Sequence, residues 1–163
     1  MRTSVVLGQW LDRPLQADLD VAVMADELGY TELWVPEMAK ADSPSMAAVI
    51  AERTDQIGLT LGPLPVTVRS SVQIAIALQT VALTGRRVGV ALGTSSSLVA
   101  RWHDRTRRGA ADRLAATRAE VSALLSGERV NGFRLSQPPE QPASITVAAF
   151  GPRAVEAAAQ ADR

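Results

Sequence analysis

Short runs that are almost wholly apolar alternate along the chain with longer segments in which apolar residues recur at helical spacing. The runs are 4–10, 32–36, 57–66, 87–93 and 144–150. Runs that are apolar on nearly every residue are typical of strands buried on both faces, as in parallel sheets. The first four begin about 25 to 30 residues apart, which is the length of a strand, a helix and two short loops. The pattern predicts five βα units with right-handed crossovers in one parallel sheet.

The helical segments carry recognisable ends. A helix over 15–28 is predicted to stop at Gly29, and a helix over 45–54 to start from Ser43 as N-cap with Pro44 at its first position. Further helices are predicted at 70–83, at about 109–126 and from 152 onward. Residues 127–143 form an insertion before the fifth strand, with a hairpin turn at Asn131-Gly132 and then a Pro-rich stretch.

Composition and charge narrow the function classes. The 17 acidic and 17 basic residues balance, which argues against a nucleic-acid or membrane-surface partner. The chain contains no cysteine and one histidine, so disulfides are excluded and we expect no metal site. It contains no apolar stretch long enough to span a bilayer and no signal-peptide pattern, so we expect a cytoplasmic protein.

Common catalytic motifs are missing. One glycine follows the first strand where a dinucleotide fingerprint needs three, and no P-loop glycine pattern precedes Lys40, the only lysine. The Gly93-Thr94-Ser95 stretch lacks the second glycine of a nucleophile elbow. With these motifs excluded, the protein either catalyses a reaction through an organic cofactor or is not a catalyst.

Ligands of parallel βα folds bind at the carboxyl ends of the strands, where loops surround helix N-termini. The stretch Gly62-Pro63-Leu64-Pro65 cannot continue a regular ladder. It forms either a bulge that makes a shelf for a flat ring or a plain Pro-terminated strand. Gly93-Thr94-Ser95 offers hydroxyls and backbone donors, or is a simple polar turn. Gly151-Pro152-Arg153 combines free N–H groups with a guanidinium that could meet a phosphate.

Two residues are candidates for acid/base work. Glu37 closes the second strand, so its carboxylate either faces the site or lies on the surface. His103 is either such a group or a helix-start residue with an exposed imidazole.

Three segments resemble a known family. LDVAVMADELGYTELWVPE (19–37), IGLTLGPLPVTVRSSVQIAIALQTVALTGRRVGVALGTSS (57–96) and VAAFGPRAVEAAAQADR (147–163) are similar in order and spacing to the bacterial luciferase-like monooxygenase superfamily. RWHDR (101–105), the Gly127-Glu128 turn and the last segment resemble its branch that uses the deazaflavin coenzyme F-420.

The resemblance implies a TIM-barrel fold of α/β class in which residues 1–163 are a single incomplete domain, the first five of eight βα units. It implies an oxidoreductase that transfers hydride through F-420, or FMN as the alternative, to or from a small organic substrate. By the same resemblance, Gly62, Pro63 and Leu64 support the cofactor ring, with a non-prolyl cis peptide within 61–64. Gly93, Thr94 and Ser95 lie along its ribityl chain, Gly151, Pro152 and Arg153 hold its phosphate, and Glu37 lies near ring and substrate.

The length leaves several outcomes open. Five strands cannot close a barrel of eight, so two strand edges and one side of the central apolar face would be uncovered. The chain is then a fragment, a half-barrel completed by a second chain or by a homo-oligomer, or a non-catalytic open-sheet protein that at most binds a phosphate-bearing cofactor.

Overall fold

Five parallel strands form one sheet in the order in which they occur along the chain. A computed structural model describes residues 3–8 and 12–159, and the predicted strand residues 9–10, the chain end 160–163 and the side chain of Arg153 lie outside that description. The strands are β1 (Ser4–Val6), β2 (Glu32–Val35), β3 (Gly58–Pro65), β4 (Val88–Gly93) and β5 (Ser144–Ala148). Each pairs in parallel with the next. The predicted half-barrel order of five βα units is confirmed.

Six helices connect or follow these strands in the described part of the chain. They are α1 (Leu15–Glu27), α2 (Ser43–Ala51), α3 (Ser71–Ala82), α4 (Ser97–Trp102), α5 (Ala110–Leu125) and α6 (Pro152–Ala159). None of these helices is long and apolar enough to cross a membrane.

Two local predictions are corrected. The N-cap of α2 is Asp42, whose side chain accepts the Ser45 N–H, while Ser43 is the first helical residue. The Ser43 hydroxyl instead donates to the carbonyl of Val35 at 2.6 Å and so attaches the helix to the end of β2. The sequence pattern also missed α4, because its six residues are too few to show a helical period.

The core lies between the sheet and its helices. Strand residues Leu33, Leu61 and Leu92 are fully buried against Ile50 and Leu78, which lie on α2 and α3. Each such side chain contributes about 1.5–3 kcal/mol by leaving water. The helix-facing side of the sheet therefore forms a continuous core within these five units.

On the other face of the sheet, which is concave in a barrel, the residues of β3 to β5 are small and polar. Val6 of β1 and Trp34 of β2 lie on the same face, so the apolar face that we expected is only partly present. Thr60 donates to the Glu32 carboxylate at 2.5 Å, and a Cβ at Gly89 would overlap the Ser144 hydroxyl, so these residues share one face. Since strand side chains alternate, Ala91 lies on it as well. Glycine, alanine and hydroxyl side chains leave room along β4 and β5.

An aspartate ties the first helix to the third strand. Asp26 of α1 accepts the N–H groups of Asp55, Gln56 and Ile57 at 2.5, 3.2 and 2.8 Å. Burial opposes ionisation of this carboxyl, but the three backbone hydrogen bonds and the charge of Arg86 outweigh it and lower its pKa. The contact fixes where β3 starts relative to α1.

Candidate functional site

The loops after β2 and β3 are joined by an ion-pair cluster at the carboxyl end of the sheet. Arg69 donates from Nε to Glu37 Oε1 and from Nη2 to Glu37 Oε2, both at 2.7 Å. Its Nη2 also pairs with Asp42. Glu37, Asp42 and Arg69 are called the Arg69 clasp below. Bidentate arginine–carboxylate pairs fix geometry as well as charge, so the clasp holds the two loops in one arrangement.

The surroundings of Arg69 and Asp42 favour their charged forms. Hydrogen bonding to Glu37, together with the charges of Glu37 and Asp42, raises the pKa of Arg69 above its ordinary value. For Asp42, burial opposes ionisation, but hydrogen bonds from Ser45 and Arg69 outweigh burial and lower its pKa. Glu37 also accepts the Ser43 N–H at 3.0 Å. The Glu37 carboxylate is therefore occupied on both oxygens.

A second ion pair fixes the middle of the same loop. Lys40 Nζ lies 2.7 Å from Asp18 Oδ2, and the lysine side chain is only 5% exposed. Asp18 belongs to α1, so the β2–α2 loop is attached to α1, α2 and the loop after β3. Attachment to three elements makes this loop a rigid rim of the site.

Glu37 and His103 line one cavity of about 500 Å³ next to this rim. Met38, Ala39 and Trp102 form apolar parts of its wall, and the Trp102 side chain is 52% exposed. His103 lies at the end of α4 and caps it, so its interpretation as a helix-start residue is wrong. Its imidazole is exposed and makes no hydrogen bond to any residue that the structure describes. Of the two acid/base candidates, His103 is the one with an uncommitted side chain.

The end of β3 departs from a regular strand where the prolines predicted it. The pairing of β3 with β4 shifts register between Leu61 and Leu64, and the Gly62–Pro63 peptide is cis. The expected cis bond lies in the predicted segment, but it precedes a proline and is not the non-prolyl bond expected. Gly62 has a φ of +112°, and a Cβ there would overlap Leu64 N and Ala91 O. Only glycine fits this bulge.

Small residues lie beside the bulge on β4 and β5. A Cβ at Gly93 would lie 3.2 Å from Pro63 Cβ and 3.7 Å from Ala148 Cβ. Gly93 is buried, and Pro63 and Ala148 on either side of it are half-buried, so the three small residues pack together at the carboxyl end of the sheet.

The loop after β4 is held by an arginine that the sequence analysis did not single out. Arg107 donates from Nε to the Ser95 carbonyl at 2.7 Å and from Nη2 to the Thr94 hydroxyl at 2.9 Å. Ser95 has a φ of +55°, a conformation that non-glycine residues seldom adopt. The arginine thus supports a turn whose polar groups follow Gly93.

The last loop precedes α6. Gly151 has a φ of +88° and its carbonyl accepts the Val155 N–H at 3.1 Å, while Pro152 is the first residue of α6. Backbone N–H groups at such a helix start attract anions. The predicted contribution of the Arg153 guanidinium falls outside the described residues. Among those that are described, no group of three or more His, Asp or Glu could hold a metal ion.

A family model identifies the chain. The model of the luciferase-like monooxygenases matches residues 3–162. The chain belongs to the luciferase-like monooxygenase family. No curated protein sequence matches it significantly.

Solved structures similar to this luciferase-like chain establish the fold. It resembles apo-MsnO8 with a TM-score of 0.78 and 22% identity, covering 98% of this chain and 52% of MsnO8. It resembles an F420-dependent secondary alcohol dehydrogenase in complex with an F420–acetone adduct (TM-score 0.78, 15% identity, 97% and 56% covered). It also resembles the FMN-bound oxygenating constituent of 3,6-diketocamphane monooxygenase from Pseudomonas putida (TM-score 0.71, 14% identity, 90% and 51% covered). The luciferase-like chain therefore spans about half the length of these TIM-barrel relatives.

Two arginines are the main site residues that the sequence analysis missed. Arg69 and Arg107 each lie in a loop, and each holds a predicted site residue in place: Arg69 holds Glu37, and Arg107 holds Thr94 and Ser95. The available signal was weak, since arginines are numerous in this chain and neither lies in a motif. Their position after strands β3 and β4 was the one hint of a role.

Proposed function

We propose that this luciferase-like chain carries the cofactor-binding part of an oxidoreductase that transfers hydride through coenzyme F-420, with FMN as the alternative, to or from a small organic substrate. The observation that carries the proposal is the β3 bulge together with the small residues Pro63, Gly93 and Ala148 packed beside it. It offers the planar ring of either cofactor an apolar face at the end of the sheet where ligands of this fold bind. Relatives of the same fold are described with F420 and with FMN.

Other loops fit the remaining parts of such a cofactor. The Thr94 hydroxyl and the backbone of Ser95 are polar groups beside a ribityl chain, kept in position by Arg107. The helix start at Gly151 and Pro152 would receive the phosphate, with Arg153 as its predicted counter-ion. When bound, the cofactor would donate or accept the hydride at its central ring, at a carbon in F-420 and at a nitrogen in FMN.

The acid/base work is assigned to His103. Its imidazole lines the cavity and can donate or accept a proton there. Glu37 is a positioning residue in this proposal, because Arg69 and the Ser43 N–H occupy its oxygens. The apolar wall of Met38, Ala39 and Trp102 would exclude water from the substrate side.

A titration tests the proposal. The purified chain is titrated into oxidised F-420, reduced F-420 and FMN, and the fluorescence of each cofactor is followed. Gly93→Leu places a bulky side chain beside Pro63 and Ala148 and should abolish the fluorescence change. Ala116→Leu adds a side chain of the same size on an exposed part of α5 and should leave the fluorescence change intact. Far-UV circular dichroism checks that both variants fold. If no cofactor changes its fluorescence, the proposal fails for this chain.

A non-catalytic module that binds only a phosphate-bearing group is the second candidate. This candidate is favoured because both carboxylate oxygens of Glu37 accept hydrogen bonds from Arg69, so neither is free for acid/base catalysis. Such a module would bind FMN but not riboflavin, and inorganic phosphate would displace the FMN. Gly93→Leu would leave its affinity for FMN unchanged. Ring-based binding predicts that riboflavin still binds and that Gly93→Leu weakens it.

A further inference from the structure

The Arg69 clasp balances its own charges beside the cavity of about 500 Å³ that it borders. Arg69 occupies both oxygens of Glu37 and one oxygen of Asp42. The other Asp42 oxygen accepts hydrogen bonds from the backbone N–H and the hydroxyl of Ser45. A cationic ligand therefore finds no free carboxylate oxygen on this wall.

Lys40 is the second cation of the wall, and its charge is also neutralised. Its Nζ is buried and lies 2.7 Å from Asp18. Two cations, Arg69 and Lys40, are thus matched by the three carboxylates of Glu37, Asp42 and Asp18, so the charge around the cavity is not positive. An anionic ligand would lose its hydration here and gain no free counter-ion.

Two ring side chains on the same wall are uncommitted. Trp102 and His103 both line the cavity, and Trp102 is 52% exposed. Among the described residues, neither the indole N–H nor the imidazole has a hydrogen-bond partner. Met38 and Ala39 extend the apolar part of the wall. The cavity therefore offers an aromatic face together with groups that can hydrogen-bond to an oxygen atom.

The helix that carries both rings is held at each end. Ser96 caps α4 by accepting the Val99 N–H at 3.2 Å. The N–H groups of His103 and Arg105 both donate to the Ala100 carbonyl, at 3.2 and 2.8 Å. Val99 and Ala100 are themselves buried. A ligand that binds against the two rings does not have to order this segment first.

We propose that the substrate of this cavity is an uncharged aromatic alcohol, or the aldehyde or ketone that its oxidation produces, with its ring against Trp102 and its oxygen at His103. The inference rests on the proposed function, which places a small organic substrate here. Stacking on indole favours an aromatic ring over a saturated ring of the same shape. The balanced charges of the wall disfavour ligands of either sign, because neither finds a free partner.

The proposed contacts suit the transfer of a hydride. In the direction of oxidation, the carbon that bears the hydroxyl loses its hydrogen, with two electrons, to the oxidised cofactor ring. The hydroxyl gives its proton to the His103 imidazole, and the carbon–oxygen bond becomes a double bond. In the direction of reduction, the carbonyl carbon accepts the hydride and its oxygen accepts the proton from His103.

Four probes of similar shape test the requirements for charge and ring. The purified chain, without cofactor, is titrated at neutral pH with naphthylmethanol, its saturated analogue decahydronaphthylmethanol, naphthylmethylammonium and naphthoate, and calorimetry gives each dissociation constant. We expect naphthylmethanol to bind at least about tenfold more tightly than either charged probe and about threefold more tightly than the saturated alcohol. The proposal is overturned if naphthylmethanol does not bind, or if any of the other three binds as tightly.

Variants locate the ring contact. Trp102→Ala should weaken naphthylmethanol binding at least about tenfold, and Trp102→Phe, which keeps an aromatic face, should recover most of that loss. Leu98→Ala is the matched control, since Leu98 lies on the same helix, is 45% exposed and does not line the cavity. Far-UV circular dichroism checks that each variant folds. Equal effects of Trp102→Ala and Leu98→Ala would overturn the proposal.

The oxygen contact has its own test. His103→Ala should weaken naphthylmethanol about two- to tenfold and leave the binding of naphthalene, which has no oxygen, unchanged. Equal losses for both probes would overturn the assignment of the oxygen to His103. Since these titrations contain no cofactor, their failure would leave the cofactor titration standing, and a failure of the cofactor titration would leave the probe binding standing.

Discussion

Replacing Arg69 by methionine tests how much the Arg69 clasp contributes to the fold. Met keeps most of the aliphatic bulk and removes the guanidinium. The side chains of Arg69 and Glu37 are 18% and 11% exposed, so the variant leaves a largely buried carboxylate without its counter-ion. Removing one member of a buried pair costs about 3–5 kcal/mol. The Asp42 contribution is small, since that side chain is 49% exposed and water screens it.

Because the pair is not wholly enclosed, the expected loss is about 2–4 kcal/mol of unfolding free energy. Urea denaturation followed by circular dichroism measures it. With a denaturant dependence of about 1–3 kcal/mol per molar urea, the midpoint should fall by roughly 1 to 2 M. Arg105→Met is the control, since Arg105 is exposed and the one described hydrogen bond of its side chain is to the adjacent Asp104 carbonyl. It should change stability by less than about 0.5 kcal/mol.

A double-mutant cycle with Glu37→Gln assigns the loss to the pair. If the pair carries the effect, the double variant loses clearly less than the sum of the single losses, with a coupling of about 1–3 kcal/mol. Additive losses, or an Arg69→Met cost under about 1 kcal/mol, would refute the reasoning.

The loss of stability at low pH gives an independent check of the Arg69 clasp. The pKa of Asp42 is lowered on folding, so its stabilisation is present above its unfolded value of 3.8 and is lost as pH falls through the folded value. Arg69→Met should reduce that loss.

Three further outcomes are expected. Asp26→Ala removes three backbone hydrogen bonds and should cost about 1–3 kcal/mol at neutral pH. Its effect should shrink as pH falls through the lowered pKa of Asp26, because the wild-type stabilisation is lost there; urea midpoints across pH measure this. Gly62→Ala should destabilise by about 3 kcal/mol or more, since its Cβ would overlap backbone atoms. Gly132→Ala, with positive φ but open surroundings, should cost only about 1 kcal/mol by thermal denaturation. Lys40 should be acetylated far more slowly in the folded chain than in urea, and Asp18→Asn should accelerate the folded-state reaction, as mass spectrometry can follow.

The architecture was readable from the sequence because parallel strands buried on both faces show as near-continuous apolar runs. The bulge was readable for a similar local reason, since prolines at 63 and 65 cannot continue a ladder. Local signals also misled. Asp42, Ser43 and Ser45 lie within four positions, and all three residue types are good N-caps. Asp42 takes this position because the Ser43 side chain instead donates a hydrogen bond to the Val35 carbonyl.

Contacts distant in sequence explain what could not be predicted. The hydrogen-bonding partners of Arg69 lie 32 and 27 residues away, so neither period nor motif relates them. The small, polar centre of the concave face was hidden for another reason. Glu32, Thr60 and Ser144 sit in runs that look apolar overall, and only the register of the sheet shows that they share a face.

The rim of the candidate site is fixed by contacts among the residues that the structure describes. The Arg69 clasp joins the loops after β2 and β3, Lys40 joins the first of these to α1, and Arg107 holds the turn after β4. Every one of these contacts is made within the five units described. A ligand that bound at this rim would therefore meet loops already held in one arrangement, and its binding would not have to order them.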